Sequence, residues 1–453
     1  MDSRKNEPLY QHLATNARYS CYNGICAIVA NNLITPFIPL FAIEVLKATH
    51  QQVALLSSLP ALMGILALLP GAHIIDRLPR KKHFTGMSIL AGRLFYLLIA
   101  LVPFLPVADH AAWLVILVAL MNFPTSVAGL AWQAFIAELI PEPERGRFFG
   151  DRNRLTTFAG LVTTLLSGIL LEQFPKNNAR PYQAFFALAF LFALLEVYYI
   201  YLHVEPSKET PSPGTLSNKA VSKDTRPQAG TKPARRPAGT ETAWLATAKE
   251  ILGNRPFTYF LVSSFAFHFG WQMAWPIFNI YQIENAHATA IWISIFTLCS
   301  SLMSAATFRW WNRWSEARGS AYALIFAALA IASGAFIYTF STNLYYLAAA
   351  NLWIGVAVAG ITLLLFNRLL EVTPGNGRAT YMAIYQIAIG ISGFIAPQVG
   401  VWIMNVSNIY VSFYVSTVLR LVGAGAFALA AWLLKKPGPA RARRYPSTPE
   451  ISA

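Results

Sequence analysis

Four ionisable residues fall inside apolar stretches of this chain: Arg93, Glu196, His268 and Arg420. A charge in such a setting is costly and often functional. Glu196 is a candidate coupling group, because a carboxyl in an apolar setting can take up and release a proton. It also lies close to one end of its stretch, where it could reach the polar interface or pair with Arg93. His268 could relay protons or serve as a hydrogen-bonded packing residue. Arg93 joins these two as a coupling candidate. Arg420 could meet an anionic solute group or close an ion pair between helices. Asn31, Asn32 and Gln272 sit mid-stretch, where a neutral amide can orient a solute without burying a charge. The same amides could instead join helices. Trp271, Trp275 and Phe278 recur at i, i+4, i+7 and so share one helical face. Facing inward, Trp271 and Trp275 would offer an apolar wall to an amphiphilic or aromatic ligand; facing outward, they would be packing.

This chemistry is binding and proton exchange. No His-Glu-x-x-His, Gly-x-Ser-x-Gly or nucleophile–base arrangement occurs in the chain, and no Walker motif, so neither an enzyme nor an ATP-driven pump is expected. Cys21, Cys26 and Cys299 show no metal-ligand spacing and suggest no disulfide. No cofactor and no metal are expected.

The elements that must hold these residues are membrane helices. The chain has 453 residues, of which 12% are charged, and a mean hydropathy of +0.46. A soluble chain carries about 25% charged residues. The apolar residues come in runs of about 20, the length that crosses a bilayer as a helix. Twelve such runs are read, the first Ser20–Lys47, the fifth Asn153–Phe174, the seventh Phe257–Glu284 and the last Ile409–Leu434. Residues 205–250 are rich in Pro, Ser, Thr, Lys and Arg and read as a disordered linker. The expected organisation is therefore an N-terminal segment (1–19), a six-helix bundle (20–204), the linker (205–250), a second six-helix bundle (251–436) and a basic tail (437–453).

The net charge of +15 does not point to nucleic acid, because the cations cluster between spans and at the ends. Of the 35 Lys and Arg residues, outer loops would hold Lys47, Lys176 and Arg180. Arg93 and Arg420 lie in spans, and the rest fall on the side of the termini. The positive-inside rule then places both termini in the cytoplasm. A cell membrane, bacterial by the compact loops, is the expected location, with the protein taken as a monomer in the lipid bilayer.

Between the second and third runs stands Gly71-Ala72-His73-Ile74-Ile75-Asp76-Arg77-Leu78-Pro79-Arg80-Lys81-Lys82. Three matches also relate the two halves. Asn32, Pro36 and Glu44 are spaced like Gln272, Pro276 and Glu284. Glu138-x-x-Pro141-x-x-x-Arg145 matches Glu371-x-x-Pro374-x-x-x-Arg378. Asn312-Arg313 stands after the eighth run where Asp76-Arg77 stands after the second. The loop, the helix plan and the duplication resemble those of major facilitator transporters. The resemblance implies an all-α membrane protein with two pseudo-symmetric six-helix bundles around a central cavity that opens alternately to each side. It also implies a gating role for Gly71, Asp76, Arg77, Arg80 and Lys81. Gly71 would allow close helix contact, Asp76 would hold the cytoplasmic gate, and the cations would anchor the loop at the inner leaflet. The chain lacks the helix-four arginine and the full helix-five glycine–proline pattern of proton-coupled drug exporters, and the sugar-porter signatures. The implied activity is secondary transport of small organic solutes, coupled to protons. Efflux of amphiphilic compounds is the first reading; uptake of a polar metabolite, or lipid flipping or scrambling on the same fold, are the alternatives.

Overall fold

The computed structural model describes residues 10, 12–78, 81–205, 251, 253–374 and 378–435. In the first half, α1 is Leu13–Asn32, continued by short turns at Thr35–Phe37, Ile38–Leu40 and Phe41–Val45. It is followed by α2 (His50–Arg77), α3 (Lys81–Leu101), α4 (His110–Leu139), α5 (Glu142–Glu172) and α6 (Ala179–Leu202). In the second half, α7 is Arg255–Met273, continued by Trp275–Ile280 and Tyr281–Asn285. Then come α8 (Ala290–Arg318), α9 (Ser320–Tyr338), α10 (Leu344–Val372), α11 (Arg378–Val406) and α12 (Ile409–Lys435). Among the described residues, 10 helices are long and apolar enough to cross a membrane. The linker and the tail expected from composition lie outside the described residues, apart from Glu205.

Several ends are set by local chemistry. Thr49 and Gln52 form a capping box at the start of α2. Asp109 Oδ1 accepts from the Ala112 amide at 2.9 Å at the start of α4. Gly319, at φ 91°, lets the chain reverse between α8 and α9. Two starts differ from expectation. α1 begins at Leu13 rather than Ser20. α5 begins at Glu142 rather than Asn153. Glu142 and Glu144 stand in its first turn, where the helix dipole favours negative charge.

Packing repeats between the halves. In the first, α1 lies against α5 and α6, α4 against α2 and α3, and α3 against α6. In the second, α7 lies against α11 and α12, α10 against α8 and α9, and α9 against α12. The ends of α1 and α7 repeat in backbone detail. Phe41–Val45 and Tyr281–Asn285 are both wide π turns. Lys47 (φ 54°) and His287 (φ 51°) follow them in the same left-handed conformation. Glu138 meets Lys81, the first residue of α3; its counterpart Glu371 accepts from Ser320, the first residue of α9.

The halves meet through α2 with α11 and α5 with α8. Small residues make these contacts close. A Cβ on Gly390 would collide with Ile65, one on Gly393 would stand 3.1 Å from Ala61, and one on Gly168 would collide with Ser294. Polar groups complete the junction toward the end of the bundle away from the linker. His50 stands 2.9 Å from Glu284 and 3.2 Å from Asn405. Gln398 Nε2 donates to Ser58 Oγ at 2.7 Å, Ser294 Oγ to the Thr164 carbonyl at 2.8 Å, and Lys176 Nζ to the His287 carbonyl at 3.2 Å. At the opposite end, Asn16 exchanges two hydrogen bonds with Val204, tying the exit of α6 to α1. Burial pushes the neighbouring His203 imidazole below its ordinary pKa, with Lys82 and Arg152 adding to the effect.

Filling the α5–α8 contact should therefore be costly. Gly168→Leu is expected to destabilise the protein by about 1–3 kcal/mol through overpacking, read as a lower melting temperature in detergent. Gly150→Ala, on the same helix with open space around it, should leave the melting temperature unchanged or raised. Equal behaviour of the two variants would contradict this junction.

Candidate functional site

Two neighbouring cavities within the helices are lined by polar side chains. The first, about 270 Å³, is walled by α1 to α4 and closed by one residue of the other half, Asn279. Asn31, Thr35, Arg93, Tyr96 and Asn122 line it. The second, about 190 Å³, lies within the first half and is lined by Asn23, Arg93, Thr125, Trp132, Arg152 and Glu196. Arg93 and Thr125 belong to both.

Arg93 and Glu196, expected as coupling candidates, meet between the two cavities. Arg93 Nε donates to Glu196 Oε2 at 3.0 Å and Nη2 to Oε1 at 3.4 Å. Arg93 Nη1 also donates to the Tyr96 hydroxyl. The side chains are 14% and 6% exposed, so each charge depends on the other for compensation. The possibility that Glu196 pairs with Arg93 is the arrangement found. Asn23 Nδ2 donates to the Glu196 carbonyl at 2.9 Å and ties α1 to α6.

The amides divide. Asn31 lines the larger cavity and accepts from Thr35 Oγ1 at 3.0 Å. Asn32 turns away: its Nδ2 donates to the Gly160 carbonyl at 3.0 Å and to Thr164 Oγ1 at 3.1 Å, so it joins α1 to α5. Gln272 does the same in the second half, where Nε2 reaches the Ile389 carbonyl of α11 at 3.4 Å. Its Oε1 is buried without a partner among the described residues.

The aromatic face on α7 does not form as spaced. The helix breaks at Ala274, ahead of Pro276, which cannot donate to the helical ladder. Trp271 and Trp275 remain edge to face, with centroids 6.4 Å apart. Phe278 instead packs on Tyr338 and Phe413. Neither tryptophan lines the two cavities. His268 is buried with Nδ1 2.8 Å from the Ser264 carbonyl, among Phe267, Trp271 and Tyr385, as a packing residue would be. Arg420 meets no carboxylate among the described residues. It donates to the carbonyls of Gly270, Ile331 and Trp271 and pins α12 to α7 and α9.

In the loop motif, a Cβ on Gly71 would stand 3.3 Å from Val127 of α4, which explains the glycine as close contact within one half. Arg77 closes α2, where the helix dipole favours a cation, and Lys81 pairs with Glu138. The Asp76 side chain and all of Arg80 lie outside the described residues. Arg152 and Trp132 had no place in the sequence reading. Arg152 falls just ahead of the expected start of α5 and so counted as a loop charge.

A sequence profile described as Major Facilitator Superfamily matches residues 21–308 and 260–451. The chain belongs to the major facilitator superfamily. Among solved structures, this family member resembles the nucleoside transporter NupG (D323A mutant) at a TM-score of 0.67 and 10% identity, with 92% of this chain and 99% of that one covered. It resembles a D-xylose-proton symporter at 0.63 and 13% identity, covering 92% and 97%. A POT family transporter in complex with 5-aminolevulinic acid follows at 0.62 and 13%, covering 93% and 97%. At such identities the likeness shows the fold alone. No curated protein matches the sequence.

Removing one member of the buried pair should be more harmful than replacing both. Arg93→Met or Glu196→Leu alone should cost about 3–5 kcal/mol, whereas Arg93→Met with Glu196→Leu should cost far less than the two combined. A double-mutant cycle on unfolding in detergent reads this coupling; additive costs would contradict it.

Proposed function

We propose that the protein is a secondary active transporter that moves a small polar organic solute by rocking its two halves, coupled to protons. The observation that carries this reading is the larger cavity, where Asn31, Asn122 and Arg93 of one half face Asn279 of the other. Such a cavity offers hydrogen bonds from both halves, so a bound solute can bias their relative position. The lining favours a polar solute over the amphiphile suggested by the α7 tryptophans, which stand outside it.

The Lys and Arg distribution supports a cytoplasmic linker and termini in a cell membrane. On that orientation the contacts around His50, Glu284 and Gln398 form the outer closure. Proton coupling rests on Glu196. Protonation there would release Arg93 toward the solute, and deprotonation would recapture it. Gly71, Asp76, Arg77, Arg80 and Lys81 are proposed to steady the cytoplasmic end of α2 as the halves move. Family membership and the similar transporter structures argue against catalysis.

Purified protein in liposomes provides the test. Under an imposed proton gradient the wild type should accumulate a polar solute from a panel of sugars, nucleosides and amino acids. Glu196→Gln should keep exchange at equal pH but lose the response to the gradient. A gradient response unchanged in that variant would overturn the coupling role.

A further inference from the structure

The smaller cavity contains a cation with no ion-pair partner of its own among the described residues. Arg93 is satisfied by Glu196 and Tyr96. Arg152, in α5, forms no ion pair among the described residues. Its Nε donates to the Ser20 carbonyl at 3.3 Å, and its guanidinium lies over the Trp132 ring at 4.3 Å, a contact that fixes its plane. The terminal amino groups are left for the cavity. The Trp132 Nε1 is buried and has no acceptor among the described residues.

The place for this guanidinium is built into α1. A Cβ on Gly24 would stand 2.7 Å from Arg152 Nη2 and 2.8 Å from its Cζ. Only glycine leaves that room. The cavity wall thus bears two guanidinium groups and one carboxylate. It lies within the membrane-spanning part, where an unbalanced charge is costly.

We propose that this cavity binds the carboxylate group of a small organic acid, held by the Arg152 guanidinium that lies over the Trp132 ring. A carboxylate matches the guanidinium fork in shape as well as charge. The volume of about 190 Å³ is below the range of about 300–1,000 Å³ usual for drug-sized ligands. The remainder of the molecule would extend past Arg93 and Thr125 into the larger cavity. The proposal rests on the transporter reading and narrows its solute to an organic acid.

The test uses the full-length protein in detergent, with lactate and benzoate as probes, sodium chloride at equal ionic strength as control and the neutral analogues lactamide and benzamide. At least one carboxylate should raise the melting temperature, and its amide should not. Arg152→Gln should weaken carboxylate binding about tenfold or more, the loss expected for a charged hydrogen-bonding partner. Gly24→Ala keeps the charge but fills its cradle, and should also weaken binding; it carries the test where Arg152→Gln does not fold. The proposal is overturned when neither acid stabilises the wild type, when the amides act equally, or when both variants bind like the wild type. Liposomes that accumulate a neutral polar solute while neither acid binds would overturn it and leave the transporter standing. Carboxylate binding lost in the variants, in a protein that moves no solute, would sustain the site and overturn transport.

Discussion

Lipid removes the force that usually joins helices. Acyl chains are as apolar as leucine, so apolar side chains gain little by leaving them for one another. Association must come from close backbone approach and from hydrogen bonds between helices. The junction between the halves is built in that way. Gly390 and Gly393 bring α11 against α2, and Gly168 brings α5 against Ser294 of α8. His50, Gln398, Ser294 and Lys176 add polar contacts at the end away from the linker. Contacts of small residues and single hydrogen bonds can be broken and remade without exposing a large apolar face, which suits the rocking proposed for the halves.

The same constraint governs the interior. An unsatisfied polar group has no water to turn to in the hydrocarbon region. Most of the polar side chains within the helices are therefore committed. Asn32 and Gln272 join helices, His268 holds a main-chain carbonyl, and Arg420 is surrounded by three carbonyl oxygens. Arg93 and Glu196 neutralise each other. Against this background the terminal amino groups of Arg152 stand out, because they are charged and border a cavity.

The two halves are alike in pairing but unlike in chemistry. The turns ending α1 and α7 repeat down to the left-handed residues Lys47 and His287. Asn32 and Gln272 bond to equivalent helices, α5 and α11. Yet Arg93, Glu196, Trp132 and Arg152 all belong to the first half, and Asn279 alone represents the second half in the larger cavity. The duplicated scaffold pairs its helices alike, and one copy holds most of the polar groups that line the two cavities.

Apolar runs of membrane length, cations gathered on one side and the spaced repeats were enough to establish from sequence the helical plan, its division in two and the family resemblance. These are properties of local order, and a helix in lipid satisfies its backbone within itself. The pairing of Arg93 with Glu196 was legible only as a possibility, since the two are far apart in the chain. Rotation of each helix about its axis was not legible at all. It is decided by close contacts such as Gly24 with Arg152 and by breaks such as that at Ala274, which sends Phe278 away from the two tryptophans. Tertiary structure alone therefore decided that Asn31 faces a cavity while Asn32 faces a helix, and that Arg152 lies inside the bundle rather than in a loop.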